Sequence, residues 1–249
     1  MKRARNGFLA LVFSAGAGGL HAAPPSPDNP EGVKSIALWG TGLTLLAFTL
    51  DRTVQSDIRS QNFIAKSLDH GDYARKSTVM ELLGQTQVPL ALSGVLYAGG
   101  VLGQNEPLQR VGRSGAEALV VSGVAVLGLK TVFGRGRPYV DHDADTFHAL
   151  HGAAAKNASF PSGHATTVFT FAAVVADEYD SIVVDSLAYG LATAVAVGRL
   201  YQDQHWASDV VAGATLGIVT GKAVRRWDKA RHGGALRTDG RGVYWVWAF

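Results

Sequence analysis

Three short stretches of this 249-residue chain carry residue types suited to holding and transferring a phosphoryl group. The first is KTVFGRGRP, where Lys130 and Arg137 flank Gly134 and Gly136 at the end of an apolar run that the glycines break. Taken alone, two cations leaving a helix suit a C-terminus that complements the helix dipole. The second is PSGH, Pro161 to His164, entering the helix-compatible run ATTVFTFAAVV. It places Ser162 near an N-cap and leaves the Gly163 and His164 amides free for an anion. Gly163 lets an oxyanion approach the backbone closely, and His164 can transfer a proton near neutral pH. The third is RLYQDQHWASD, in which His205 follows Arg199 and Asp209 lies four residues beyond His205. On a helix an i, i+4 pair shares a face, so Asp209 can accept from one imidazole nitrogen and leave the other as a nucleophile.

Each stretch alone also suits an ordinary capped or ion-paired helix end. The combination is more specific: three cationic groups, a helix N-terminus and two histidines, each where an apolar segment stops. Lys130, Arg137 and Arg199 can neutralise the charge that develops in phosphoryl transfer without a metal.

Six apolar segments position these residues, at Ser35 to Leu50, Val79 to Leu102, Gly115 to Phe133, His164 to Ala176, Ser186 to Arg199 and Ala207 to Val224. We read them as six helices. They are apolar almost all round, as helices are when buried in a bundle or facing lipid. Uncharged stretches in the last four run only about 12 to 13 residues against the ~20 of a membrane span, and only the second segment is long enough. A compact bundle with one face dipping into the membrane is the expectation.

The N-terminus carries Lys2, Arg3 and Arg5, an apolar run from Phe8 to Leu20, and small residues before Pro24. This is the layout of a secretory signal peptide, residues 1–22, cut after Ala22. Its removal leaves 20 basic and 20 acidic residues, so the positive charge of the whole chain gives no support to nucleic-acid binding. Cysteine is absent from the sequence, which suits an exported protein without requiring export. A periplasmic, membrane-associated protein is expected, an uncleaved anchor and an integral membrane protein being the alternatives. Residues 23–33 read as a Pro-rich linker and residues 34–230 as one helical domain. Residues 231–249 read as a tail in which Asp239-Gly240 turns a β-hairpin.

The three stretches match, in order and spacing, the motifs of the type 2 phosphatidic acid phosphatase superfamily, which also includes bacterial acid phosphatases and vanadium haloperoxidases. The chain resembles that family from Lys130 to Asp209 and, through its apolar helices, over most of its length; Gly198 departs from the serine often found before the arginine. The resemblance implies an all-α, six-helix bundle that hydrolyses lipid phosphate monoesters or pyrophosphates without cofactor or metal. It implies that Lys130, Arg137, Ser162, Gly163 and Arg199 bind the phosphoryl group, that His205 is the nucleophile oriented by Asp209, and that His164 is the general acid. The partner expected is a phosphorylated lipid or a small phosphate ester, with a membrane surface nearby.

Between the first two motifs, Tyr139 to Phe160 holds Asp141, His142, Asp143, Asp145, His148 and His151. Their spacing matches no compact zinc pattern, and the loop reads as the mouth of a pocket where Arg135 helps admit substrate. The rival functions are an acid phosphatase on soluble esters, a vanadate-dependent haloperoxidase, and a non-catalytic bundle that binds phospholipid.

Overall fold

The computed structural model describes residues 30–61, 81–141, 143–151, 155–232, 235–238 and 243–246. The expected signal peptide, most of the expected linker and His142 lie outside the described residues. Among those residues six long helices follow in order: α1 (Pro30–Gln61), α2 (Gln87–Leu102), α3 (Glu106–Phe133), α4 (Gly163–Tyr179), α5 (Ile182–Tyr201) and α6 (Ala207–His232). The architecture is the all-α bundle expected, with different boundaries. α1 begins inside the expected linker, because Pro30 tolerates a first helical turn, and runs on past Leu50 to Gln61. α3 begins nine residues before Gly115, where the Asn105 side chain accepts from Leu108 N–H and caps the helix. α2 is shorter than expected, its sixteen residues preceded by a helical segment at 81–84 and a turn.

These boundaries correct the reading of span length. α2, the segment expected to be long enough to cross a membrane, is a shorter apolar helix; Glu31–Ser60, Glu106–Phe133 and Ile182–Tyr201 are each long and apolar enough. Charged residues interrupt these apolar runs in the sequence, but Asp51 is wholly buried within α1 and Arg199 is nearly so at the end of α5. An ionic side chain turned into the bundle does not interrupt a span. The outward faces match: Leu38, Trp39, Val124, Leu127 and Leu187 are each more than 60% exposed. The protein is membrane-associated.

α4 lies at the centre, packed on α3, α5 and α6. Its contact with α6 is close because Gly213, Gly217 and Gly221 recur every four residues on α6. A Cβ at these positions would stand 2.5 Å from Ser162 O, 2.5 Å from Thr166 O and 2.7 Å from Thr170 O. Small residues at this spacing let helix backbones meet. One consequence is that the two N-termini adjoin, and Ser162 N–H donates to the Asp209 carbonyl at 2.9 Å. The C-terminal strands β1 (Ala235–Thr238) and β2 (Val243–Val246) pair antiparallel, with Thr238 opposite Val243. That register puts four residues between the strands, where a two-residue turn was expected.

Candidate active site

The chain reaches the site through Gly134, which ends α3 in a left-handed conformation with φ 58° that glycine adopts without strain. Beyond it the backbone is pinned on several sides. Gly136 N–H donates to Thr146 O at 3.0 Å, Arg137 N–H to Lys156 O at 3.1 Å, and the Trp206 indole to Gly136 O at 3.0 Å. Arg59 of α1 donates to Pro138 O at 2.8 Å and also contacts Asp203, so α1 clamps the 134–138 and 202–206 loops together.

All eight residues singled out from the sequence converge on this end of the bundle. Lys130 points from the last turn of α3 toward α4; a Cβ on Gly163 would lie 3.9 Å from its Cε, and its Nζ donates to Ala158 O. Arg137 donates to Gln204 Oε1 at 2.5 Å. Arg199 is 4% exposed; one nitrogen bonds Gln202, while its Nε has no hydrogen-bond partner among the described residues. Ser162 caps α4, its Oγ accepting from Ala165 N–H at 3.4 Å. Gly163 and His164 open the helix, where N–H groups lack intrahelical partners.

The His205 ring is buried, its Nδ1 3.6 Å from Asp209 Oδ2. That faces Nδ1 to the carboxylate and leaves Nε2 as the second ring nitrogen. Asp209 is wholly buried and held on both oxygens: Oδ2 accepts from Ser159 Oγ at 2.5 Å and from Trp206 N–H at 2.9 Å, while Oδ1 accepts from Arg135 at 2.7 Å. Burial alone would raise its pKa, but the charge of Arg135, the adjacent His205 ring and the hydrogen bond from Ser159 hold it at about 2. Burial pushes His205 down to about 3 despite Asp209, with Lys130 and Arg137 adding to the effect. His164 falls to about 4 through burial and then the charge of Arg199, helped by Arg137 and Lys130. Its Nε2 lies 3.2 Å from Glu81 O, and Gly84 packs against the ring so closely that a Cβ there would meet Cδ2 at 2.3 Å. Both histidines are therefore neutral near pH 7, in a site with three adjacent cations. Such a site favours a dianion, which would offset the cations and restore basicity to His164.

Sequence reasoning missed five contributors. Arg135, expected at the substrate entrance, is fully buried and binds Asp51, Ser208 and Asp209. Its one sequence signal is its place between two glycines. Asp51 and Ser159 carry none, since their partners lie far away in sequence, and Gln202 and Gln204 read only as loop residues. The loop acids also differ from expectation: Asp143 and Asp145 both accept from Arg52 of α1, at 2.6 and 2.5 Å. His148 and His151 are exposed. Among the described residues no group of three or more acids and histidines stands where a metal could be held.

A family model described as PAP2 superfamily matches residues 114–232. The lipid A 1-phosphatase of Porphyromonas gingivalis is 29% identical over 215 residues, 86% of this chain and 41% of that protein. YbjG of Escherichia coli K12, named as a candidate undecaprenyl-diphosphatase, is 34% identical over 134 residues, 54% of this chain and 63% of that protein. The chain thus spans less than two-thirds of either relative. Among solved structures, the transmembrane PAP2-type phosphatidylglycerolphosphate phosphatase of Bacillus subtilis superposes with a TM-score of 0.53 at 17% identity. That likeness covers 79% of this chain and 96% of the other, and it concerns the fold.

Proposed function

We propose, from the premise that this chain belongs to the PAP2 superfamily whose model matches residues 114–232, that it is a metal-independent phosphatase acting on phosphate monoesters or pyrophosphates of lipids. The observation that carries this reading is the neutral, buried His205, backed by Asp209 and faced by Lys130, Arg137 and Arg199. Nε2 of His205 attacks phosphorus as the bond to the leaving oxygen breaks, and the departing alkoxide takes its proton from His164. The imidazolium character that develops on His205 is stabilised by Asp209. In the second step His164 takes a proton from water, the water oxygen bonds phosphorus, and the phosphorus–nitrogen bond breaks to release inorganic phosphate. The three cations, the α4 N-terminus and Ser162 hold the phosphoryl oxygens throughout. Arg199 Nε is a buried donor that such an oxygen would satisfy.

The lipid substrate class is supported by the exposed apolar helix faces beside the site and by the lipid-linked phosphates named for both relatives. The leader-like N-terminus supports a site on the periplasmic side. The test is phosphate release by the full chain in detergent with EDTA present, across lipid phosphates, lipid pyrophosphates and soluble esters. Turnover of the lipid esters is expected, together with its loss, by at least about 10⁴-fold, in His205→Ala. Activity that EDTA abolishes would overturn the metal-free mechanism. Turnover of soluble esters alone would overturn the lipid assignment.

A further inference from the structure

The buried group that this mechanism leaves unused is Arg135. Its guanidinium is fully buried yet makes five hydrogen bonds: two to Ala144 O at 3.0 and 2.7 Å, and one each to Ser208 Oγ at 2.7 Å, Asp209 Oδ1 at 2.7 Å and Asp51 Oδ2 at 2.8 Å. Phe48, Phe147 and Trp206 surround it at 4.5, 5.4 and 5.5 Å from their ring centroids. Asp51 closes a ring by accepting from Ser208 N–H at 2.8 Å and Ser208 Oγ at 2.5 Å. A planar fork bound at this many points has one orientation available to it.

We propose that Arg135, braced by Asp51, is a positioning residue that acts on His205 through Asp209. The argument is geometric and rests on the phosphatase reading above. A carboxylate has two oxygens, and Asp209 must turn one of them toward His205. Arg135 occupies Oδ1, so Oδ2 is the oxygen left for His205, Ser159 and Trp206 N–H. The charged groups around Asp209 are Arg135 and His205, with Lys130 and Arg137 beyond. Arg135 makes the closest ion pair, at 2.7 Å. Without it the buried carboxylate loses its main counter-charge and one of its two anchors. It can then rotate or take up a proton, and either change removes the acceptor that fixes His205 with Nδ1–H toward Asp209. Asp51 has the same relation to Arg135 that Asp209 has to His205: it fixes which way the group points. Four residues from α1, the 134–138 loop, the N-terminus of α6 and the 202–206 loop thus form one chain, Asp51–Arg135–Asp209–His205.

The test compares Arg135→Met, Arg135→Lys and Asp51→Asn with the unaltered full chain in detergent. Its readouts are kcat, KM, the pH profile, and the ¹⁵N spectrum of histidine-labelled protein. Arg135→Met should lose on the order of 100-fold in kcat, the scale expected when a reacting group is mispositioned, with KM within about threefold. Its acid limb should move upward, and its His205 signal should change from a single tautomer to a mixture. Arg135→Lys should recover part of the rate, and Asp51→Asn should lose about tenfold, less than Arg135→Met. A folded Arg135→Met protein with unchanged kcat and an unchanged His205 tautomer overturns the proposal. If that variant does not fold, Arg135→Lys and Asp51→Asn decide, and wild-type rates and spectra in both overturn it. The tautomer is read without turnover. An inactive wild type with an Arg135-dependent tautomer therefore rejects the phosphatase reading while keeping the positioning role.

Discussion

Two arginines are buried to within 1% of complete enclosure at opposite ends of this bundle, and they serve opposite ends. Arg135 joins α1 to the α6 N-terminus and its contacts lead to His205. Arg225, near the α6 C-terminus, contacts Asp177 at 3.4 Å, Ser114 at 3.2 Å and Asp228 at 3.5 Å, and bonds Glu178 as well, tying α6 to α4 and α3. Around it Arg110 pairs with Glu178 at 2.8 Å, Arg113 with Asp228 at 2.9 Å and Lys229 with Asp177 at 2.9 Å. Every acid there is shared between cations, and the Ser114 hydroxyl beside them is bonded to Asp228 and Arg225. The same ionic chemistry leads to the proposed nucleophile at one end and fastens three helices at the other. A buried ion pair is weak evidence for net stability and equally weak evidence for function. What distinguishes the two networks is whether the chain of contacts ends on a group that reacts.

The largest effect that would separate them is on the site side. Asp209→Asn keeps the shape but removes the charge that stabilises a phosphorylated His205, and kcat should fall by about 10⁴-fold, by analogy with the serine-protease triad. The melting temperature in detergent should move far less than the rate. At the other end, Arg225→Met leaves Asp177, Glu178 and Asp228 short of a buried partner. A loss of about 3–5 kcal/mol of stability is expected, with kcat of the folded fraction unchanged. Denaturation and kinetics on one preparation check both. A tenfold drop in the kcat of folded Arg225→Met would erase the division between the two ends.

How far this was legible in the sequence follows from the same contrast. Lys130, Arg137, Ser162, His164, Arg199, His205 and Asp209 could be picked out because local spacing sets each at a segment end, a cap or four residues from a partner, their proposed roles coming from the resemblance, and the structure brings them together. Arg135 sits among them and was assigned to the pocket mouth, since nothing nearby shows that its partner is Asp51, 84 residues earlier. Asp51 in turn read as the end of the first apolar segment, whereas α1 continues to Gln61 around it. Arg110 and Arg113 likewise hid the first turns of α3, because charged side chains that face acids inside the bundle carry no apolar period. Spacing reports neighbours along one helix, and the supporting networks join different ones.

Acidification should weaken the site end through its histidines. The buried His205 titrates at about 3 in the folded protein against ~6.5 in an unfolded chain, a depressed value, so its stabilising contribution is present above pH 6.5 and declines as pH falls toward 3. The slope is at most about 1.4 kcal/mol per pH unit for that residue. Denaturation of the wild type and of His205→Gln at pH 7, 6 and 5 measures it as a narrowing of their difference. If the two proteins lose stability in parallel over that range, His205 is not held neutral by burial.

The smallest effect belongs to a third kind of ion pair, which shows what burial adds to the other two. Arg52 lies one residue from Asp51 and contacts Asp143 and Asp145 at 2.6 and 2.5 Å, closer than most of the Arg225 contacts, but all three side chains are more than half exposed. Solvent screens such pairs, and holding long side chains in one geometry costs entropy, so most contribute little. Arg52→Ala should therefore leave the melting temperature and kcat within error of the wild type at 0.15 M salt. A clear loss of activity without loss of stability would mean instead that the 139–151 loop must be tethered to α1 for the site to work. That would extend the positioning network outward from Arg135 along the same helix.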